Sequence, residues 1–456
     1  MRVCFMNVNK TSEQRPERVG DGSERANGLS WTSDYGTLTG LVETAVSDRD
    51  KGVLRELAKQ VAELAAQPAE QEKKQLWTEH HGLKETRPVI FCDPENAWYE
   101  IFQAADLECA GKLARIWEMR LRQEIYWNTR IKDDRVTADT FLVPSVFSET
   151  ERGLETKLVG REVGRAYSWE SPLNDYSDVQ KLAPRRIVVD FQKTEALVSL
   201  AGEVLGDILK VTPVGKWWWS LGMSMDVAYL RGMEQMLLDM YDCADGLHEL
   251  MSFLRDENMA KLDFLEENDL LSLNNGGEFE GTGGYGWTDQ LPQTDCNLQK
   301  IRTHDMWGFC ESQETVGVSA DFFDEFIFQY QLPILERFGL NIYGCCEPLD
   351  SRWHVIQRIP RLRKVTVSPW SDAELMAENL GPDYVYSRKI NPSYMATPEM
   401  DEEMARKEII DTFTATKACG CPAEILLRDV VTLGGNANNA IRWTEIAREE
   451  SEKIYN

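Results

Sequence analysis

Apolar residues recur at helical spacing in three long stretches of this chain. The first stretch covers residues 53–64 behind an acidic start at Asp48, the second covers 113–131, and the third covers 233–267. Residues that repeat every three or four positions lie on one face of a helix, so each stretch predicts an amphipathic helix that packs on a core. Asp245-Gly246 is expected to break the third helix.

From residue 187 onward, short apolar runs alternate with helical stretches. Runs that are apolar throughout indicate strands buried on both faces, and their spacing of about 20 to 40 residues leaves room for a crossover helix each time. The candidate strands are residues 187–190, 212–219, 270–274, 300–304, 340–343, 364–368, 384–387, 425–429 and, earlier in the chain, 87–92. This alternation predicts an α/β fold in which the strands close into a (β/α)8 TIM barrel.

A nucleotide-binding, doubly wound sheet is the alternative to the barrel, and the motifs argue against it. No Gly-x-Gly-x-x-Gly loop follows a candidate strand, and no Walker-type phosphate loop occurs. The glycine-rich segment 276–286 lacks the terminal Lys-Ser/Thr of such a loop and carries Glu278 and Glu280. We therefore expect this segment to be a mobile loop at the rim of the barrel.

Composition divides the chain into three parts. Residues 1–45 are rich in Ser, Thr, Gly, Arg and Glu with little periodicity, which predicts a poorly ordered lead-in. Residues 46–85 are predicted to form an N-terminal helical segment, and residues 86–456 to form the barrel. One large domain of this size is within the range of α/β barrels with long loops.

The chain of 456 residues has 76 acidic and 50 basic residues, which gives a net charge of −26. That surplus argues against binding to the phosphates of nucleic acid. Its ten cysteines lack the spacing of a disulfide-stapled secreted module, and no apolar run approaches the ~20 residues that cross a bilayer. We expect a soluble, cytoplasmic protein with no membrane partner. A homodimer is compatible with the sequence, which does not fix the number of subunits.

The most informative chemistry lies in the segment Asn341-Ile-Tyr-Gly-Cys-Cys-Glu347. Residues 340–343 are predicted to be a buried strand, so Cys345, Cys346 and Glu347 should lie where a parallel strand leaves the sheet. That is where α/β enzymes hold their functional groups. Two thiolates and a carboxylate suit a zinc ion. The same thiols are equally typical of packing atoms, since free cysteines are often buried.

Further polar side chains follow other candidate strands. The chain has five histidines, and His304 is the one placed at a predicted strand end. Ordinary structural roles stay open for some of these groups. Asp372 can cap the following helix, Trp370 can pack in the core, and Asp429 can pair with Arg428. The strand-end groups besides His304 are Asp305, Glu311, Trp370, Asp372, Lys389 and Asp429.

Two blocks of the chain resemble the uroporphyrinogen decarboxylase superfamily. The block Thr303-His-Asp-Met-Trp-Gly308 is similar to that superfamily's Asp-x-Trp-x-Gly-like turn. Residues 319–330 are similar to the helix that follows it, with Phe, Glu-Phe and a closing Tyr. The tail 425–447 also looks like the superfamily's last strand–helix unit. The resemblance implies the same (β/α)8 barrel.

Within that superfamily, the chain looks more like the corrinoid-dependent methyltransferases than the decarboxylases. The decarboxylases' early Arg-Gln-Ala-Gly-Arg-Tyr segment is replaced here by Cys92-Asp-Pro-Glu-Asn-Ala-Trp98. The methyltransferases hold zinc with a His-x-Cys strand and a later Cys, and the matching positions here are Tyr343, Cys345 and the neighbourhood of Asp429. The resemblance therefore implies a modified zinc site drawn from Cys345, Cys346, Glu347 and Asp429, with His304 as a further candidate ligand.

Together these features predict that the protein is a methyltransferase. It would move a methyl group from a small methylated substrate, such as a methoxylated aromatic, to a corrinoid on a partner protein. Zinc would polarise the leaving oxygen, and His304 or Glu311 would supply the proton that an alkoxide or phenoxide needs in order to leave. Substrate contacts are expected from Trp98, Trp307, Trp370, Tyr343 and Asp372.

The alternative is a metal-free decarboxylase or lyase of the uroporphyrinogen decarboxylase type, acting on a small cyclic acid. Asp305 or Asp372 would then stabilise a cationic ring intermediate. A non-enzymatic corrinoid carrier is disfavoured, because the chain lacks an Asp-x-His-x-x-Gly cobalamin loop.

Overall fold

Helices and parallel strands make up most of the chain that the computed structural model describes, which is residues 45–159, 168–282 and 284–455. The predicted lead-in at residues 1–45 lies outside these residues except for Ala45. The helices are α1 (Asp48–Ala65), α2 (Pro68–His81), α3 (Trp98–Ile101), α4 (Lys112–Tyr126), α5 (Phe191–Leu205), α6 (Ser224–Arg231), α7 (Met233–Asp242), α8 (Ala244–Glu267), α9 (Ala320–Phe323), α10 (Gln329–Leu335), α11 (Trp353–Ile356), α12 (Ala373–Leu380), α13 (Glu402–Cys419) and α14 (Asn438–Tyr455). The strands are β1 (Val89–Cys92), β2 (Thr140–Pro144), β3 (Phe147–Glu149), β4 (Lys157–Val159), β5 (Ser168–Glu170), β6 (Ile187–Val189), β7 (Lys210–Val214), β8 (Trp307–Cys310), β9 (Leu340–Tyr343), β10 (Leu362–Val367), β11 (Val385–Lys389) and β12 (Ala423–Leu427).

Six parallel strands form the main sheet, in the order β1-β12-β11-β10-β9-β8. β2 and β7 form a second parallel pair, whereas β3 with β6 and β4 with β5 form antiparallel pairs. Side chains of β8, β9, β11 and β12 are buried along the whole strand, as expected for strands covered on both faces. The α/β class is therefore confirmed. Within the described residues no strand pair joins β2 or β7 to the main sheet, so closure into a barrel stays a prediction.

The strand predictions succeed best in the second half of the chain, where β9 matches its expected range residue for residue. Two of them are wrong. Residues 300–304 contain the 3-10 turn Thr303–Asp305, and the strand begins only at Trp307. Residues 270–274 form no strand. The strand predicted at residues 187–190 is present as β6, but it pairs antiparallel with β3 and lies outside the main sheet.

The described residues of the glycine-rich segment, 276–282 and 284–286, pack against one face of the main sheet, which corrects the expectation that the segment lies at the rim. Phe279 stacks edge-on against Phe91 of β1, with ring centroids 5.4 Å apart. Thr282 Oγ1 lies 3.0 Å from Thr366 Oγ1 of β10. At Gly281, where φ is +61°, an added Cβ would come within 3.0 Å of the ring of Phe309. Glycine is used here because the backbone itself approaches the sheet.

The long helices follow the predicted apolar patterns, with one shifted break. α1 begins at the expected acidic turn, where the Ser47 side chain accepts a hydrogen bond from the amide of Asp50. The third stretch is divided at Cys243, between α7 and α8, rather than at Asp245-Gly246. Among the described helices, none combines the length and the apolar character that crossing a membrane requires.

Candidate functional site

Two thiols, a lysine and a carboxylate meet at the carboxyl ends of β9, β11 and β12. Lys389 ends β11, and its Nζ lies 3.5 Å from Sγ of Cys345 and 3.7 Å from Sγ of Cys346. The same Nζ lies 2.7 Å from Oδ2 of Asp429. The two sulfurs are 3.4 Å apart, and Sγ of Cys346 is 3.6 Å from that carboxylate oxygen. We call these four residues the thiol–lysine cluster.

Hydrogen bonding and charge distinguish the two thiols of the cluster. The hydrogen bond with Cys345 and the nearby Lys389 ammonium lower the pKa of Cys346, whereas the same hydrogen bond and burial raise the pKa of Cys345. Burial opposes the charge on Lys389, but the facing thiols and Asp429 raise its pKa. Cys346 is therefore the more readily ionised and more exposed sulfur, and Lys389 is a fixed cation beside it.

A second group of carboxyls lies at the same edge of the sheet. Glu311 directly follows β8 and is 1% exposed. Its Oε1 accepts a hydrogen bond from Ser220 Oγ at 3.1 Å, and its Oε2 accepts one from the amide of Gln313 at 3.0 Å. Glu347 is fully buried, and its two oxygens accept hydrogen bonds from the backbone amides of Ser312 and Cys345 at 2.8 and 2.9 Å.

The surroundings of Glu311 favour its neutral form. Burial raises the pKa of Glu311 well above its usual value, and the charges of Glu314 and Glu347 raise it further. Burial also raises the pKa of Glu347, although backbone amide donors oppose that effect. A carboxyl held in its protonated form at neutral pH can donate that proton to a leaving group. Glu311 is therefore the candidate proton donor of this edge.

The thiol–lysine cluster does not have the arrangement of a zinc site. The ammonium of Lys389 lies among the two sulfurs and the carboxylate, where a metal cation would have to bind. Both oxygens of Glu347 already accept hydrogen bonds from backbone amides. Of the described residues, the one set of three His, Cys, Asp or Glu ligand atoms within 4.8 Å of one another lies elsewhere, at His80, His81 and Glu424. Zinc at the thiols stays a prediction, and no reaction step is derived through it.

His304 and Asp305 lie at the opposite edge of the sheet from the thiols. They belong to the turn Thr303–Asp305, which precedes β8, whereas the thiols follow β9. Asp305 is fully buried and accepts hydrogen bonds from two backbone amides at 3.1 and 3.2 Å. The expectation that His304 faces the carboxyl edge is wrong, because residues 300–304 are not the strand on which it rested.

The three tryptophans do not form one wall. Trp98 is fully buried and packs on Trp127, with ring centroids 4.6 Å apart. Trp307 begins β8 and lies 5.3 Å from the ring of His81, at the amino ends of the strands. Trp370 follows β10 at the carboxyl edge and is 70% exposed. The expectation that the three tryptophans line one pocket is therefore wrong. Of the three, only Trp370 has a position suited to a substrate contact.

Tyr343 and Asp372 have partners of their own. Tyr343 ends β9, is fully buried, and donates its hydroxyl to Gln331 Oε1 at 2.7 Å. Asp372 caps α12 by accepting a hydrogen bond from the amide of Leu375 at 3.0 Å. Substrate contact stays a prediction for both residues.

Sequence reasoning placed Lys389 at a strand end but gave it no role. A lysine inside the buried run Val-Tyr-Ser-Arg-Lys was the available signal, since a buried ammonium needs anionic partners. Sequence reasoning also missed the set His80, His81 and Glu424, for which the adjacent histidine pair was the available signal.

Two surface grooves lie away from the thiol–lysine cluster. One, of about 490 Å³, is lined by residues 146–148 and 188–192. The other, of about 570 Å³, is lined by residues 168–171 and 232–238 in part. Neither groove is lined by Glu311 or by a member of the cluster.

Comparisons with known proteins give little further guidance. No protein-family model and no curated protein matches this chain. A solved structure, a methyltransferase from Methanosarcina mazei, matches at 8% sequence identity with a TM-score of 0.47, covering 84% of this chain and 99% of that chain. Similarity at that level carries no argument about function.

Proposed function

We propose that this protein is a methyltransferase that moves a methyl group from a small methylated substrate, such as a methoxylated aromatic, to a corrinoid carried by a partner protein. The observation that supports the proposal is Glu311, a buried carboxyl with a raised pKa at the same sheet edge as a lysine-bound thiol pair. The proposal includes a (β/α)8 barrel, consistent with the eight parallel strands β1, β2 and β7–β12.

The proposed reaction needs an acid because an alkoxide or phenoxide leaves poorly from carbon. The bond between methyl carbon and substrate oxygen breaks as the bond between that carbon and the reduced cobalt of the corrinoid forms. The electron pair of the broken bond stays on the oxygen, which takes the proton of Glu311. The charges of Glu314 and Glu347 raise the pKa of Glu311, so they favour its protonated form before the transfer.

Lys389 supplies the positive charge of the proposed site. In the corrinoid-dependent methyltransferases that the sequence resembles, the Cys that Cys345 matches is one of the residues that hold zinc. Here the Lys389 ammonium lies beside Cys345 and is held by Asp429. A fixed cation stabilises negative charge that develops on the leaving oxygen, and it does so with little reorganisation when it is already buried. Lys389 is 3% exposed.

The decarboxylase or lyase alternative loses the residues that were expected to perform it. Asp305 is occupied by backbone amides at the amino ends of the strands, and Asp372 caps α12. The methyltransferase is therefore the better supported of the two.

The test supplies purified protein with reduced cobalamin and a panel of methoxylated aromatics and methylamines. We expect methylcobalamin and the demethylated product from at least one donor, and a ~100-fold loss of rate in Glu311→Gln, as is typical for removal of a general acid. Glu336→Gln, an exposed carboxylate on the segment after α10, is the control and should keep the full rate. Release of carbon dioxide from a cyclic acid, with no methylcobalamin from any donor, would replace the proposal with the lyase.

A further inference from the structure

We infer that His80, His81 and Glu424 form a binding site for one divalent transition-metal ion of the zinc class, at the amino ends of the main sheet. The two histidines are the last residues of α2, and Glu424 is the second residue of β12. All three side chains are fully buried. This site lies at the opposite end of β12 from Asp429, so it is separate from the thiol–lysine cluster.

The three ligand atoms have the spacing that a small metal ion needs. Nε2 of His80 lies 3.1 Å, and Nε2 of His81 lies 3.8 Å, from Oε2 of Glu424. Zinc binds imidazole nitrogen and carboxylate oxygen at about 2.0–2.1 Å in tetrahedral geometry, which sets neighbouring ligand atoms about 3.3 Å apart. The observed separations bracket that value, so small side-chain adjustments would bring the three atoms around one ion.

The hydrogen bond of His81 directs its other nitrogen toward the site. Nδ1 lies 2.7 Å from the carbonyl oxygen of Trp287, and a nitrogen that faces a carbonyl oxygen must carry the proton. Nε2 then presents a lone pair, yet it is buried without a hydrogen-bond partner. A buried nitrogen without a partner is unfavourable, because it has lost its hydrogen bonds to water and gained none in the protein. A carbonyl behind a metal-binding imidazole is also the usual outer support of such a ligand.

Glu424 is arranged as a ligand with one free oxygen. Its Oε1 accepts a hydrogen bond from Ser387 Oγ at 2.6 Å and lies 2.9 Å from Nζ of Lys364. That leaves Oε2, the oxygen facing both histidines, for the ion. The Lys364 ammonium repels a bound cation, so it should set the affinity of the site. Replacing it by an uncharged side chain should strengthen binding.

A bound ion would join the N-terminal helical segment to the sheet. α2 contributes two ligands and β12 contributes the third, and His80 and Glu424 are 344 residues apart in the chain. We infer a structural role for the ion, because all three side chains that would hold it are fully buried. The inference does not depend on the proposed methyl transfer.

The test uses full-length protein without a histidine tag, purified without chelator and then compared before and after chelation. We expect about one equivalent of metal, a lower melting temperature after its removal, and recovery on adding zinc or cobalt(II). Cobalt(II) in this site should show no thiolate-to-metal absorption band, since no ligand is sulfur. His81→Ala should weaken binding by ~100-fold or more, whereas the control His304→Ala and the thiol variant Cys345→Ser should retain it.

Lys364→Met is a second variant, which tests metal binding even when His81→Ala does not fold. Loss of the repelling ammonium should tighten zinc binding by ~10-fold or more. If neither the wild type nor Lys364→Met takes up zinc or cobalt(II) or shifts its melting temperature, the three residues are a buried ion-pair network and the inference is overturned. Metal that is lost in Cys345→Ser but kept in His81→Ala would overturn it as well, in favour of the thiols.

Discussion

The substitution Glu311→Gln should make the protein more stable at neutral pH while it removes the proposed acid. Glutamine has the shape of the neutral glutamic acid, and its amide can occupy the same place between Ser220 Oγ and the amide of Gln313. Native Glu311 has no cation among the groups that shift its pKa, so burial and two neighbouring carboxylates work against its ionisation.

The size of the effect follows from proton linkage. A folded-state pKa raised above the unfolded value of about 4.3 means that the native protein binds the extra proton, so its stability falls as pH rises through that window. Each pH unit costs about 1.4 kcal/mol until the folded pKa is reached, which sets an upper limit of about 4 kcal/mol at pH 7. The glutamine protein avoids this loss. We expect its free energy of unfolding to exceed that of the native protein at neutral pH, by up to that limit, and by much less near pH 5.

The assay is thermal or urea unfolding of both proteins at several pH values, with exposed Glu336→Gln as the control for removal of one carboxylate. A difference in stability that widens as pH rises supports a protonated Glu311. If Glu311→Gln is instead destabilised by about 2 kcal/mol or more at every pH, the carboxyl is ionised and stabilising in the native protein, and Glu311 is not the acid.

Three further predictions follow from the same geometry. Cys346 should be alkylated by iodoacetamide fastest of the described thiols at neutral pH, as peptide mapping would show. Lys389→Met should slow the alkylation of Cys346 by ~10-fold, whereas Lys389→Arg should largely preserve its rate. Equal rates in all three proteins would mean that Lys389 does not activate the sulfur. His304→Ala should leave turnover and melting temperature nearly unchanged, since His304 lies at the amino ends of the strands, and a ~100-fold loss of rate would contradict that placement. Gly281→Val should destabilise the protein by about 2 kcal/mol or more and make the 276–286 segment sensitive to protease. The reason is that a β-branched side chain at a φ of +61° would meet the ring of Phe309. If the Gly281→Val protein resists protease as well as the wild type does, this segment does not pack on the sheet.

The sequence was sufficient for strands that are short, apolar and bounded by glycine. β9 is such a strand, with Gly339 before it and Gly344, at a φ of +99°, after it. β8 was misplaced because the apolar pattern predicted a strand at residues 300–304, which put Gly308 in the turn after that strand rather than inside β8. That glycine is needed where the strand backbone approaches Phe338, since an added Cβ would lie 2.5 Å from the ring. Such a contact between distant segments is invisible in local propensity.

The sequence predicted those parts of the candidate site whose position depends only on where the strands end. Cys345, Cys346 and Asp429 were expected at one edge, and their side chains do converge there. The direction of Glu347 toward two backbone amides depends on the turn after β9, which has no sequence signature. The sequence also could not show that Lys389 lies between the thiols and the carboxylate, because that depends on the register of β11 beside β12.

The most direct test of the proposed function is the fate of a labelled methyl carbon. The protein would receive a methoxylated aromatic donor with a ¹³C-labelled methyl group, together with reduced cobalamin, in a single turnover followed by NMR. We expect the label to appear as methylcobalamin, the demethylated phenol to form in equal amount, and Glu311→Gln to slow both. A label that stays on the donor across the panel, while a cyclic acid loses its carboxyl carbon as carbon dioxide, would show that the protein is a lyase and not a methyltransferase.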